Sequence, residues 1–233
     1  MQELRRMLQM VKPYPKGMMP IPRPISGTAF FPGGTGLWQT ESSRSRATSH
    51  RQVMILGHDF DSEAAYNRSF KRGDETSGPT WRNLLSLLRE VGISPTECFF
   101  TNYFMGMRRG AISIGPSPAS ADLEFIERCG AFFIEQLKFI RPKLLLTLGT
   151  VVPRTIAFRS GDLNDWQTAK QFADLDRLGP VRLGVRFEGY RGRMNLVALT
   201  HPSIRGPNVL RRRFRSHRGH KAELAMLKEA MDQ

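Results

Sequence analysis

Four mainly apolar runs, at residues 52–56, 98–102, 144–148 and 196–200, constrain this chain more than anything else in it. Each is short, and none alternates apolar with polar. A strand with one wet face alternates; a strand covered on both faces does not. The runs therefore predict strands of a parallel sheet buried on both sides. Helical patterns fall between them. One is opened by Pro79 and closed near Gly92. A second, over 120–140, carries Phe125, Cys129, Phe132, Phe133, Leu137 and Ile140 at helical spacing and stops before Pro142. A short one follows Gly149, and a last one spans 221–231. Strands alternating with helices in this way predict an α/β fold.

Residues 1–50 read differently. Prolines recur at 13, 15, 20, 22, 24 and 32, and a Ser/Arg-rich stretch follows at 41–46. This predicts an extended lead-in packed on the body. Residues 51–233 then form a single domain. It holds an insert near 159–190 whose signals are weak, apart from a hairpin near 181–187. No run of 18 apolar residues exists, so no transmembrane helix and no membrane partner is expected. The N-terminus lacks the apolar core of a secretory signal, so a cytoplasmic location is expected; a monomer, associated with the nucleoid, is expected as well. Only two cysteines occur, Cys98 and Cys129, and both read as small core residues. They exclude a four-cysteine iron–sulfur or zinc site within one chain. No cofactor and no metal are expected. The formal net charge of +14 creates a field that attracts polyanions, with nucleic acid the first candidate.

Polar residues stand just past the ends of the runs. Gly57-His58-Asp59-Phe60-Asp61 follows the first and His201-Pro202-Ser203 the last; Asn102 closes the second. In open α/β sheets this edge is where ligands bind. A carboxylate from Asp59 and an imidazole from His201 can thus meet across one pocket, which suffices for acid, base or electrostatic work. The Asn102 amide donates and accepts at once, which suits the edge of a nucleobase. Phe70, read as lying in a loop, is a candidate for stacking on a base, with Trp81 as a rival. Basic residues follow two of the strand ends: Arg108 and Arg109 after Asn102, and Arg211, Arg212, Arg213 and Arg215 after His201. They suggest a phosphate-binding rim.

Taken in order, these motifs resemble those of the uracil-DNA glycosylase superfamily. That family's first motif is Gly-x-Asp-Pro-Tyr; an Asn closes the next core strand, a Leu-Gly ends another, and a His-Pro-Ser comes last. Here they read Gly57 to Asp61, Thr101-Asn102, Leu148-Gly149 and His201 to Ser203. The resemblance spans roughly residues 50–210 and implies a three-layer α/β/α sandwich around a central, mainly parallel four-stranded sheet. It implies a monofunctional DNA glycosylase that flips a pyrimidine, uracil or a related base, and hydrolyses its N-glycosidic bond. Asp59 and His201 would be catalytic. Asn102, Phe70, His58, Gly57 and Asp61 would surround the base. Ser203, Ile204 and Arg205 would contact DNA with the arginines named above, Ile204 or Arg205 acting as the wedge that fills the vacated stack.

The departures bear on substrate. The family's Pro-Tyr is Phe60-Asp61 here, and in uracil enzymes that tyrosine walls off C5 of the pyrimidine. An alternative is therefore a glycosylase for a bulky C5-modified cytosine, hydroxymethylated or glucosylated, in phage DNA, acting in antiphage defence. An alternative of another class is a non-catalytic DNA-binding module on the same fold. A metal-dependent nuclease would need the carboxylates of Asp59, Asp61 and Glu63 to gather.

Overall fold

The computed structural model describes residues 2–21, 53–72 and 78–232. The Ser/Arg-rich stretch and three of the six lead-in prolines, Pro22, Pro24 and Pro32, lie outside the described residues. The chain begins with α1 (Gln2–Met7), β1 (Met18–Met19), β2 (Val53–Gly57), α2 (Glu63–Arg72) and α3 (Pro79–Glu90). It continues through β3 (Cys98–Asn102), β4 (Met107–Arg108), α4 (Leu123–Ile140), β5 (Leu144–Leu148), α5 (Val151–Ile156) and α6 (Phe172–Leu178). It ends with β6 (Val181–Val185), β7 (Met194–Leu199), α7 (Arg205–Val209), β8 (Arg213–Phe214), β9 (His217–Arg218) and α8 (His220–Met231).

The central sheet has strand order β3-β2-β5-β7-β6. The first four strands are parallel and are the four apolar runs. The sheet is wider than expected by one strand: β6, from the insert, adds antiparallel to β7 and forms the edge. Its residues are mostly half-buried, so it carries no continuous apolar signal.

Why the runs do not alternate is visible in the packing. Met54, Leu56, Phe99, Leu145, Leu196 and Ala198 face one core, with α4, α5 and the N-terminal helix packed over it. Val53, Ile55, Phe100, Leu146, Val197 and Leu199 face a second core under α3 and α8. Successive strand residues point to opposite faces, and here both faces are dry. This is the three-layer sandwich. The helix ends follow local rules. Asp122 caps α4 by accepting from the Phe125 N–H at 2.8 Å, and Arg141 ends it in the left-handed region before Pro142.

Two further expectations need correction. The lead-in is not extended at its start: residues 2–11 form α1 and a 3₁₀ turn, and Leu4, Val11 and Met18 are buried in the larger core. Phe70 does not lie in a loop but on α2. That helix is a polar amphipathic segment with few apolar positions, too weak a pattern to read unaided.

Candidate active site

The sheet order places a crevice. From β2 the chain goes to β3 on one side, and later to β5 on the other. Loops leaving neighbouring strands in opposite directions open a gap at their carboxyl ends, where α/β proteins hold ligands. A cavity of about 660 Å³ occupies that place, lined among others by Gly57, His58, Asp59, Phe60, Asp61, Asn102 and His201. The structure thus brings together six of the seven residues expected at the base and the bond: Gly57 is the parallel partner of Asn102 across β2 and β3. Between β2 and β7 stands β5, which is followed by Gly149. Its φ of +86° is one that favours glycine, and its N–H donates to the Leu199 carbonyl at 2.9 Å.

Asp59 is held by the turn that follows β2. Asp61 sits at φ +63°, a region Asp tolerates better than most residues. In this turn the Asp61 N–H donates to Asp59 Oδ1 at 3.2 Å, while the Asp61 carbonyl accepts from the Arg108 N–H at 2.8 Å. Arg108 Nε then donates to Asp59 Oδ2 at 2.9 Å, and both side chains are 8% exposed. This corrects the placing of Arg108 on a phosphate-binding rim. A carboxylate this deep requires a partner, and the guanidinium is it. The arginine is fixed in turn by the Gly115 carbonyl, which accepts from Nη1 at 3.1 Å, and by β4, which pairs with β1.

Two nitrogens in the cavity wall lack partners. Asn102 is buried, and its Nδ2 makes no hydrogen bond among the described residues; the same holds for His58 Nε2. Buried polar groups are nearly always satisfied, so such orphans mark a place for a ligand atom. His58 packs edge-on against Phe104 with centroids 5.1 Å apart, and its Nδ1 is 3.6 Å from Asp59 Oδ2. Burial lowers the pKa of His58 below the ordinary imidazole value; Asp59 opposes the shift and Arg108 adds to it. The ring is neutral at neutral pH.

His201 opens the 3₁₀ turn Pro202–Ile204. Its Nδ1 accepts from the Ser203 N–H at 3.4 Å and lies 2.8 Å from Ser203 Oγ. With Nδ1 an acceptor, the neutral ring carries its proton on Nε2. Burial lowers its pKa first, and His58 lowers it further; Asp59 and Asp61 pull the other way. His201 is thus a neutral donor.

The turn that carries His201 is anchored by residues no motif revealed. Glu223 of α8 is fully buried; its Oε1 accepts from the Thr200 N–H at 2.7 Å. Its carboxylate also pairs with Arg205 and Arg212. Asn83 Nδ2 donates to the Pro202 carbonyl at 2.7 Å. Glu223 sits in an unremarkable helical stretch, so the only sequence signal was a charge at a core-facing position.

The remaining expected residues divide. Phe70 is 40% exposed, stacks on Tyr66 and is not in the cavity wall; Phe60 and Trp81 are the aromatic side chains that line it. Ser203 and Ile204 line the rim, with Ile204 56% exposed. Arg205 turns inward to Glu223, Thr200 Oγ1 and His220, which leaves Ile204 as the outward side chain of the pair. Arg212 is fully buried between Asp176, Glu223 and the Ala198 carbonyl, so it does not reach a phosphate. Arg109, Arg211, Arg213 and Arg215 are exposed, Arg215 paired with Glu229. Arg68 and Ser113, unassigned from sequence, also line the cavity. The acidic trio does not gather: Glu63 accepts from the Gly110 N–H, and among the described residues no group of three or more His, Cys, Asp or Glu side chains does. No described helix is long and apolar enough to cross a membrane.

Compared with known proteins, the chain matches the family model described as the Uracil DNA glycosylase superfamily over residues 46–220. No curated protein matches it.

Proposed function

The chain belongs to the uracil-DNA glycosylase superfamily, whose members are DNA glycosylases, and on that premise we propose that it hydrolyses the N-glycosidic bond of a flipped pyrimidine, leaving an abasic site. DNA is the partner that this membership implies. The observation that carries the reading is the convergence of Asp59, His201 and two unpartnered buried nitrogens, of Asn102 and His58, on one cavity.

The chemistry follows from charge. As the C–N bond breaks, the sugar becomes an oxocarbenium-like cation and the base an anion. The Asp59 carboxylate stabilises the first and orients water toward the anomeric carbon. The neutral His201 donates from Nε2 to the pyrimidine O2, where the leaving charge collects. One such preorganised donor is worth about 3 kcal/mol of barrier. Asn102 Nδ2 donates to a ring carbonyl, and Phe60 or Trp81 covers a ring face. Among the described residues no lysine lines the cavity, in keeping with water as the nucleophile.

The test is release of free base from single- and double-stranded oligonucleotides carrying one uracil. Release by the wild type that fails in Asp59→Asn and His201→Gln supports the reading. No release by wild type from any substituted oligonucleotide leaves the non-catalytic DNA-binding module.

A second reading is favoured by the wall at Asp61. Asp61, at the motif position of the family's tyrosine, lines the cavity with Ser69, Ser113 and Arg68, so the wall carries polar groups. A volume of about 660 Å³ is in the range that takes whole drug-sized ligands, well beyond a bare pyrimidine ring. A cytosine with a hydroxymethyl or glucosyl group at C5 suits such a wall, and phage DNA would then be the target. Faster release of the modified cytosine than of uracil supports this reading, and inertness toward every modified cytosine removes it.

A further inference from the structure

We propose that the loop between β4 and α4 is a second wedge, which inserts Ile112 and Ile114 into the base stack of duplex DNA beside the nucleotide drawn into the cavity. The identity of the cavity's guest rests on the glycosylase reading; the insertion is testable apart from it.

Ile112 is 74% exposed and Ile114 is 89% exposed. Single apolar residues on a surface need no explanation. These two differ in three respects. First, Ile114 lines the same cavity as Asp59 and His201. Second, the loop is pinned. The Gly110 N–H donates to Glu63 Oε2 at 3.0 Å and the Gly110 carbonyl accepts from the Ala64 N–H at 3.0 Å. Ser113 Oγ shares a hydrogen bond of 2.9 Å with Ser62 Oγ, and Gly115 is bound to Arg108. The chain is thus fastened before, between and after the two isoleucines, and both are left outward. Third, the loop after β7 presents an exposed Ile204 to the same cavity, so apolar tips flank it from two loops.

The physics of a flipped nucleotide explains a pair of wedges. Removing one base opens a gap in its own strand and orphans its partner in the other. Apolar side chains inserted between base steps hold such an unstacked, kinked duplex open. One wedge fills one gap; two wedges, from two loops at the same cavity, can meet both strands. The exposed Arg109 at the root of the loop, and a chain carrying a net charge of +14, draw the phosphates that flank the site.

The experiment compares wild type, the double variant Ile112→Ser/Ile114→Ser, and Leu123→Ser, an exposed apolar residue of α4 outside the cavity wall. Base release is timed on a paired duplex and on the same strand unpaired. The ratio of duplex to single-strand rate is expected to fall about ten-fold or more in the double variant and to hold in Leu123→Ser. An unchanged ratio overturns the proposal, as does an equal fall on both substrates. In a second arm, each protein is bound to a duplex with 2-aminopurine opposite a stable abasic analogue. A fluorescence rise with wild type that the double variant loses supports the wedge. If wild type releases no base from any strand, the glycosylase reading fails and this arm alone decides: no rise with wild type overturns the wedge.

Discussion

Arg108 Nε donates to Asp59 Oδ2 at 2.9 Å, deep enough that each side chain is only 8% exposed. The proposed catalytic carboxylate is therefore one half of a buried ion pair, and its partner is a residue that sequence alone assigned to the DNA surface. Breaking a buried pair from one side strands a charge in low dielectric, which costs about 3–5 kcal/mol. Arg108→Ala is expected to lose stability on that scale in chemical denaturation. The double variant Asp59→Asn/Arg108→Gln is expected to be more stable than Arg108→Ala, because neither charge is then left alone.

Removing either proposed catalytic group is expected to cost far more in rate than in binding. Asp59→Asn and His201→Gln should each lower single-turnover base release by about 10²–10³-fold, with affinity for an abasic-site duplex nearly unchanged. Loss of affinity in step with rate would assign both residues to binding instead.

Acid should act through the histidines. Burial is the leading cause of the lowered pKa of both His58 and His201. Between those lowered values and about 6.5 the unfolded chain binds more protons than the folded one. Stability therefore rises with pH through that window, and falls as pH drops below about 6.5. Thermal melts across pH 4–8, compared with the variant His58→Gln/His201→Gln, check this: the doubly substituted chain should lose part of the slope.

Glu223 is expected to behave as a positioning residue. It holds the Thr200 N–H next to His201 and compensates Arg205 and Arg212. Glu223→Gln keeps an oxygen for the Thr200 N–H but removes the charge. It should destabilise the fold by about 3 kcal/mol or more. At temperatures where it remains folded, base release should slow. Normal release with lowered stability would confine Glu223 to the fold.

Asn102 should govern which base is held. Its unpartnered Nδ2 is a donor, matching a ring carbonyl. Asn102→Asp replaces the donor with an acceptor. Release of uracil is expected to fall, and the preference to move toward bases with an exocyclic amine, each matched contact being worth about 1–3 kcal/mol. Competition between uracil and cytosine in unpaired oligonucleotides measures it.

Local pattern carried the fold a long way. The four mainly apolar runs suit strands dry on both faces, and Pro79, Gly92 and Pro142 punctuate the helices between them. Strand ends are fixed by the same pattern, so Gly57, Asn102 and His201 were legible as neighbours at one sheet edge. What the sequence could not carry was the direction in which a charged side chain turns. Arg108 and Arg109 are adjacent and chemically alike, yet one is buried against Asp59 and the other is exposed. The same holds for Arg212, inside, and Arg211 and Arg213, outside. Charge composition is read one residue at a time, whereas burial of a guanidinium depends on carboxylates from elsewhere: Asp59 from the far side of a crossover, and Asp176 and Glu223 from two helices. The sequence determined the sheet and the chemistry at its edge. Only the tertiary structure decided which cations serve the core and which remain for a phosphate, because desolvating a charge is tolerated solely where the fold delivers its counter-ion.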